Sequence, residues 1–297
     1  MIKKLLNYRS NKLKYTAFPF VNSIGSLYCF FIISFVILSS CSAERKLAEE
    51  FINSGKPVSI FLIKPTNLIN TNLKTEIVDT IKNIDQYTKD SLLINSSIFL
   101  KNIIDSLFLN EYYFALKNSL AEYSISVYTD SESDKFFKDT TNAYIFNLAQ
   151  NEVEEYIMTY SPSVEVDTTL YFRNFFLNAV NFNNWLEVTE LNGYDKKMKV
   201  FYISQYASDD IQGRFTRDFF TGEIEYYYSE YKIDLKDVYN LTYYSAEVNA
   251  NYIFDYIMNC YIAKKMNRAD NDKNYFHFDP VKKRIVRANE KRFELLK

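Results

Sequence analysis

The sequence predicts an α/β fold of the α+β kind, with helices packed on one mixed sheet and a small hairpin at the C-terminal end. Three observations predict it. The run Val58–Ile63 is almost continuously apolar between Pro57 and Pro65, which suits a central strand buried on both faces. Residues 143–156 and 175–191 alternate apolar and polar side chains over long stretches, as half-buried strands do. Residues 237–265 place Ala246, Ala250, Ile253, Ile257 and Cys260 at steps of four, three, four and three, the spacing of a buried helical stripe.

The remaining elements come in chain order. Residues 43–53 read as a short helix with Leu47, Ala48 and Phe51 on one side. Residues 66–105 mix helical and irregular pieces. Between residues 106 and 123, Leu109, Tyr112, Tyr113, Leu116 and Leu120 have helical spacing. Residues 124–129 alternate and read as a strand, and residues 131–138 as one short helix. In the long strand after Asn142, Tyr144, Phe146 and Leu148 share one face, and Asn147, Ala149 and Asn151 the other. Residues 158–170 read as a loop. In the next strand Phe176, Val180, Phe182, Leu186 and Val188 line one face. Asn192-Gly193 before the alternating residues 199–206 signals a hairpin with a loop longer than two residues. Gly213 and Gly222 punctuate the following connection, and residues 223–231 form another strand. Asp279-Pro280 lies between the two short extended runs of the terminal hairpin.

Composition narrows the function. Five of the 35 basic residues lie within the first 26 residues, which leaves 30 against 37 acidic ones, a net charge of −7 for the remainder. An acidic body excludes nucleic acid as a partner, because phosphate binding needs a concentrated basic face. Basic residues collect from Lys264 onward, where they either complement the acidic body and the end of the preceding helix or touch anionic head groups or glycan phosphates. The 26 Tyr and 25 Phe admit a stacking surface for sugars or bases. An A- and T-rich coding sequence that fills ordinary cores with aromatics accounts for them more simply.

The N-terminal stretch is a leader. Lys3, Lys4, Arg9, Lys12 and Lys14 precede an apolar run from Leu27 to Leu38, and no acidic residue occurs before Glu44. A basic region, a short apolar region and small residues form the secretory pattern. The competing reading is an uncleaved anchor, but a spanning helix needs about 20 apolar residues and this run is shorter. The run ends in Leu38-Ser39-Ser40-Cys41, which resembles a bacterial lipobox. That resemblance implies cleavage before Cys41 and lipidation of Cys41. Ser42 departs from the inner-membrane retention signal, which implies the outer membrane. The expected organisation is a signal peptide over residues 1–40, a lipidated N-terminus with its short helix over 41–56, and one globular domain over 57–297.

Two further resemblances concern the body. The element order from Val58 to Met266 is similar to that of curli-secretion lipoproteins, penicillin-binding-protein activator lipoproteins and the TolB N-terminal domain. Val58–Ile63, residues 124–129, residues 143–154 and the hairpin at Asn192-Gly193 carry the match. The segment Cys41-Ser-Ala-Glu-Arg-Lys-Leu-Ala also resembles lipoproteins of gut and oral Bacteroidota. Neither resemblance implies a reaction.

The residues themselves offer little catalytic chemistry. His277 is the only histidine, so any Ser-His-Asp or Cys-His enzyme would depend on it. Once Cys29 is lost with the leader and Cys41 is acylated, Cys260 stands alone, which leaves no intrachain disulfide and no usual zinc set. The four glycines after the leader cannot build a phosphate loop as well as the turns. Glu152 and Glu154 share a strand face, the minimum for a carboxylate pair in a glycosidase. The most polar connection is Asp209-Asp210-Ile-Gln-Gly213-Arg214-Phe-Thr-Arg217-Asp218, a candidate binding loop or an ordinary surface connection. The expectation is a lipid-anchored, non-enzymatic binding or scaffolding lipoprotein of the outer membrane, with no cofactor and no metal. Its expected partners are the membrane, through the lipid on Cys41, and an envelope protein or glycan, with Asp209, Asp210, Arg214 and Arg217 as candidate contacts. The alternative is a lipid-anchored glycan hydrolase.

Overall fold

The computed structural model describes residues 43–54, 58–74, 85–138, 142–191, 198–267 and 275–288, together with the backbone of 294–296. The leader, Cys41 and Asn192-Gly193 lie outside the described residues. The chain forms two compact units, Met1–Lys46 and Leu47–Lys297. Every described strand belongs to the second unit.

Residues 43–53 are helical (α1), as their spacing predicts. Then come β1 (Val58–Ile63), β2 (Ile69–Asn72), α2 (Gln86–Ser96), α3 (Asp105–Glu122), β3 (Ile125–Tyr128), α4 (Ser133–Phe136) and β4 (Ala143–Tyr160). They are followed by β5 (Ser163–Val166), β6 (Thr169–Phe172), β7 (Phe175–Glu190), β8 (Lys199–Ser208), β9 (Asp210–Arg217) and β10 (Ile224–Tyr231). The chain ends with α5 (Leu235–Lys265), β11 (Tyr275–Asp279), β12 (Arg284–Ala288) and β13 (Glu294–Leu296).

The main sheet is mixed, as expected, with strand order β13-β8-β7-β4-β1-β3. β1 runs parallel to both β3 and β4, while β4, β7 and β8 are antiparallel neighbours. β2 also pairs with β4 in parallel, so β1 and β2 lie end to end along one edge of it. At about 3.3 Å per residue, the 18 residues of β4 extend roughly 60 Å. This length is what separates the two ends of the body.

One face of the sheet carries α3 and α5. Phe182 of β7 meets the rings of Phe108 and Tyr112 edge-on, at 5.0 and 4.9 Å between centroids. Phe201 of β8 meets Tyr256 of α5 at 4.9 Å. The opposite face of β1 is covered by α4, where Phe61 packs on Phe136 at 5.3 Å. β1 is therefore apolar on both faces, which explains its continuous sequence.

Helix α5 starts at a capping box, in which Asp234 accepts from the Asp237 N–H and Asp237 accepts from the Asp234 N–H. Its expected stripe is buried from Ala246 through Cys260. Replacing Ile257 by Ala should cost about 2–5 kcal/mol in urea denaturation; a neutral result would mean that this face is not in the packed core.

Two expectations fail for local reasons. A β-bulge between Leu148 and Gln150 shifts the alternation of β4 by one residue. Asn151, Val153 and Glu155 are consequently buried with Tyr144, Phe146 and Leu148, so Asn151 is not on the face of Asn147. Residues 158–170 are also not a loop: β4 continues to Tyr160 and the β5–β6 hairpin follows. Its turn residues Asp167 and Thr168 take positive φ of 49° and 69°. Asp-Thr lacks the glycine that normally marks such a turn.

Candidate functional site

The distal ends of β4 and β7 form a second, small core with the β9–β10 hairpin. Leu177, Ile211 and Tyr226 are buried there, with Met158, Phe175 and Phe215 packed around them. Gly213 allows this packing: a Cβ at that position would lie 2.7 Å from the Tyr226 ring and 2.6 Å from the Tyr227 carbonyl oxygen. Arg173 lies over Phe175 and Tyr228, 5.4 and 5.0 Å from their ring centres.

This arrangement changes the reading of residues 209–218, which are mostly strand. Asp209 is 3 % exposed and anchors the fold. Its carboxylate accepts from the N–H and side-chain amide of Asn178, each at 2.9 Å, and from the Ile233 N–H at 3.0 Å. It thereby ties the end of β8 to β7 and to the start of α5. Asp210 opposite Tyr231, and Arg214 opposite Tyr227, occupy paired strand positions. Strand alternation places Arg217 on the face of Ile211 and Phe215, with Arg214 on the other. Arg217 reaches Asp167 at 3.7 Å and donates to the Gly222 carbonyl. The four candidate residues are therefore spread along the hairpin rather than gathered into one site. At the hairpin tip, Phe219 and Phe220 are 92 and 93 % exposed. Leu170, Phe172 and Phe176 are exposed at the same end of the body.

The carboxylates of β4 divide by face. Glu152 accepts from the Thr71 hydroxyl at 2.6 Å, and Glu154 from the Asn183 amide at 2.7 Å. Tyr202 donates to the side-chain oxygen of Asn183 at 2.9 Å, and its ring lies 5.0 Å from that of Trp185. Neither Glu152 nor Glu154 lines the clefts around Tyr123 or the groove between α3 and α5. Glu155, on the other face, is fully buried. It accepts from the backbone N–H groups of Ile98, Phe99 and Leu100 at 2.8, 2.9 and 3.3 Å and from Lys74 Nζ at 2.7 Å. Burial pushes its pKa up, but the hydrogen bonds from Lys74, Ile98 and Phe99 and the Lys74 charge outweigh burial and hold it below the ordinary carboxylate value.

At the opposite end, the β11–β12 hairpin pairs with no other strand among the described residues and lies along α5. Side chains one turn apart on that helix bind the edge of β11. Asn251 donates to the Phe278 carbonyl, Asp255 accepts from the Phe278 N–H, and Asn259 both donates to and accepts from the Phe276 backbone. Asp255 is fully buried and also meets His277 Nδ1 at 2.7 Å. His277 thus orients a hairpin, and its ring lines a cleft of about 480 Å³. An adjoining cleft of about 570 Å³ has a floor of Phe51, Val58, Ile125, Phe254 and Phe278. Tyr123 and Glu122 border both clefts. A third, open groove of about 420 Å³ runs between α3 and α5.

Among the described residues, no group of three or more His, Cys, Asp or Glu side chains could hold a metal ion. No described helix is long and apolar enough to cross a membrane. No protein-family model matches the chain, and no curated protein matches it.

The sequence missed three features: the Glu155 anchor, the Asn251–Asp255–Asn259 clamp and the aromatic tip. The clamp had a signal, since polar residues four apart interrupt an otherwise apolar helix. So did the tip, an aromatic pair placed directly before Thr221-Gly222. Glu155 had none, because the bulge that turns it inward is not written in the alternation.

Proposed function

We propose that this chain is a lipoprotein of the bacterial outer membrane, anchored by lipid on Cys41, whose body binds an envelope protein without turning over a substrate. The anchor rests on the leader and the lipobox. The binding reading rests on one observation, the exposed aromatic end. Isolated surface apolar residues are ordinary, but Leu170, Phe172, Phe176, Phe219 and Phe220 concentrate on hairpins and strand ends at one extremity. The hydrogen bonds that hold Glu152 and Glu154 in the sheet surface also favour binding over the glycosidase alternative.

Two experiments test the two parts. Metabolic labelling with a fatty-acid analogue should mark the wild type and leave Cys41→Ala unlabelled; equal labelling of both would remove the anchor. Cross-linking in intact cells, followed by recovery of the tagged chain, should capture a neighbour. The double substitution Phe219→Ser/Phe220→Ser should reduce that recovery at least about tenfold, because exposed aromatics carry a large share of contact energy. Reversing Arg214 and Arg217 to Glu should weaken it less. Unchanged recovery in the Phe variant would exclude the tip, and hydrolysis of a cell-wall glycan lost in Glu152→Gln or Glu154→Gln would exclude the non-enzymatic reading.

A further inference from the structure

The clefts at the α5–β11 end do not enter the proposed contact surface, which lies at the other extremity of the sheet. Their chemistry is specific. The floor is aromatic: Tyr123 stacks on Phe254 at 4.7 Å, and Phe254 meets Phe278 at 5.5 Å and Phe51 at 5.7 Å. The neighbouring cleft is lined by the carboxylates of Glu122, Glu247 and Asp279, with no Lys or Arg among its described lining residues. Asp279 has its own cations, Lys282 at 3.9 Å and Arg284 at 3.8 Å. Glu122 and Glu247 have no such partner among the described residues. In the adjoining cleft the charged groups among the described lining residues are Glu122 and Lys283.

From this juxtaposition we infer that the paired clefts form a binding site for an organic cation, its flat apolar body against the part-exposed Tyr123 and Phe278 and its ammonium group between Glu122 and Glu247. Carboxylates beside aromatic faces are the groups that recognise such cations, through charge and through attraction to the ring faces. An apolar floor with a few convergent polar groups is also the usual form of a small-molecule site. Anionic ligands are disfavoured by the same carboxylates. The negative field reaches the floor: burial raises the pKa of the Tyr123 hydroxyl, the hydrogen bond from Asn251 opposes that, and Asp255, Glu122 and Glu247 raise it further.

The test uses the full chain in nanodiscs of neutral lipid, titrated calorimetrically with three probes sharing one ring system, each corrected for empty discs. These are 2-(1-naphthyl)ethylamine, its neutral N-acetyl derivative and 1-naphthylacetate. The amine should bind at least about tenfold more tightly than either analogue. The double variant Glu122→Gln/Glu247→Gln should lose about that factor while keeping its thermal transition. Equal binding of the amine and the acid, undiminished binding in the double variant, or no measurable binding of the amine would each overturn the inference. The ligand-charge comparison uses the wild-type chain, so it stands even if the variant folds poorly.

Discussion

Replacing Glu155 by Gln is expected to lower the stability of the body by about 3–5 kcal/mol at neutral pH, the range for breaking a buried ion pair from one side. The carboxylate has no exposed surface and gathers three backbone donors from residues 98–100 together with Lys74 Nζ. An amide offers one acceptor oxygen where the carboxylate offers two, and it adds an NH₂ group among donors. Lys74 would retain its bond to the Asn178 side-chain oxygen but lose its counter-charge. The same site sets a pH dependence. The folded-state pKa of Glu155 is depressed below its ordinary value of 4.5. Its contribution is therefore fully present above the unfolded-state value and is lost as the pH falls through the folded-state value. Urea denaturation at neutral pH and in acid should show the wild type and Glu155→Gln converging as the pH drops. A gap that stays constant with pH would show that ionisation of Glu155 does not stabilise the fold.

Replacing Phe182 by Ala should cost about 3–5 kcal/mol, the range for removing a fully buried aromatic. Phe182 lies at the centre of the layer between β7 and α3, edge-on to both Phe108 and Tyr112. Tyr112 also accepts a 2.7 Å hydrogen bond from Asn249 of α5. A cavity at this position therefore loosens the contact of both helices with the sheet. Phe182→Leu should cost clearly less, since it leaves less empty volume. Equilibrium denaturation measures both, and a loss of under about 1 kcal/mol for the alanine variant would place the centre of the core elsewhere.

Legible in the residues alone were the elements whose side chains repeat with one period against one neighbour. β1, α3, β7, α5 and the terminal hairpin belong to this group because each buries a stripe or a face, and burial selects the residue types in that stripe. The proposed leader and lipobox rest on a different kind of signal, since processing signals are read as linear sequence. Which repeats are covered is settled only in the folded chain. Phe176 shares its strand face with Val180 and Phe182 but is 72 % exposed, while those two are fully buried. The fold also settles the role of single polar residues. Asp209 and Glu155 look like any surface acids, and they became anchors because a strand end and a bulge brought backbone donors from distant residues to them. Periodicity records which face is buried, but hydrogen bonds across 24 or 56 residues depend on where the chain returns, and no local pattern carries that information.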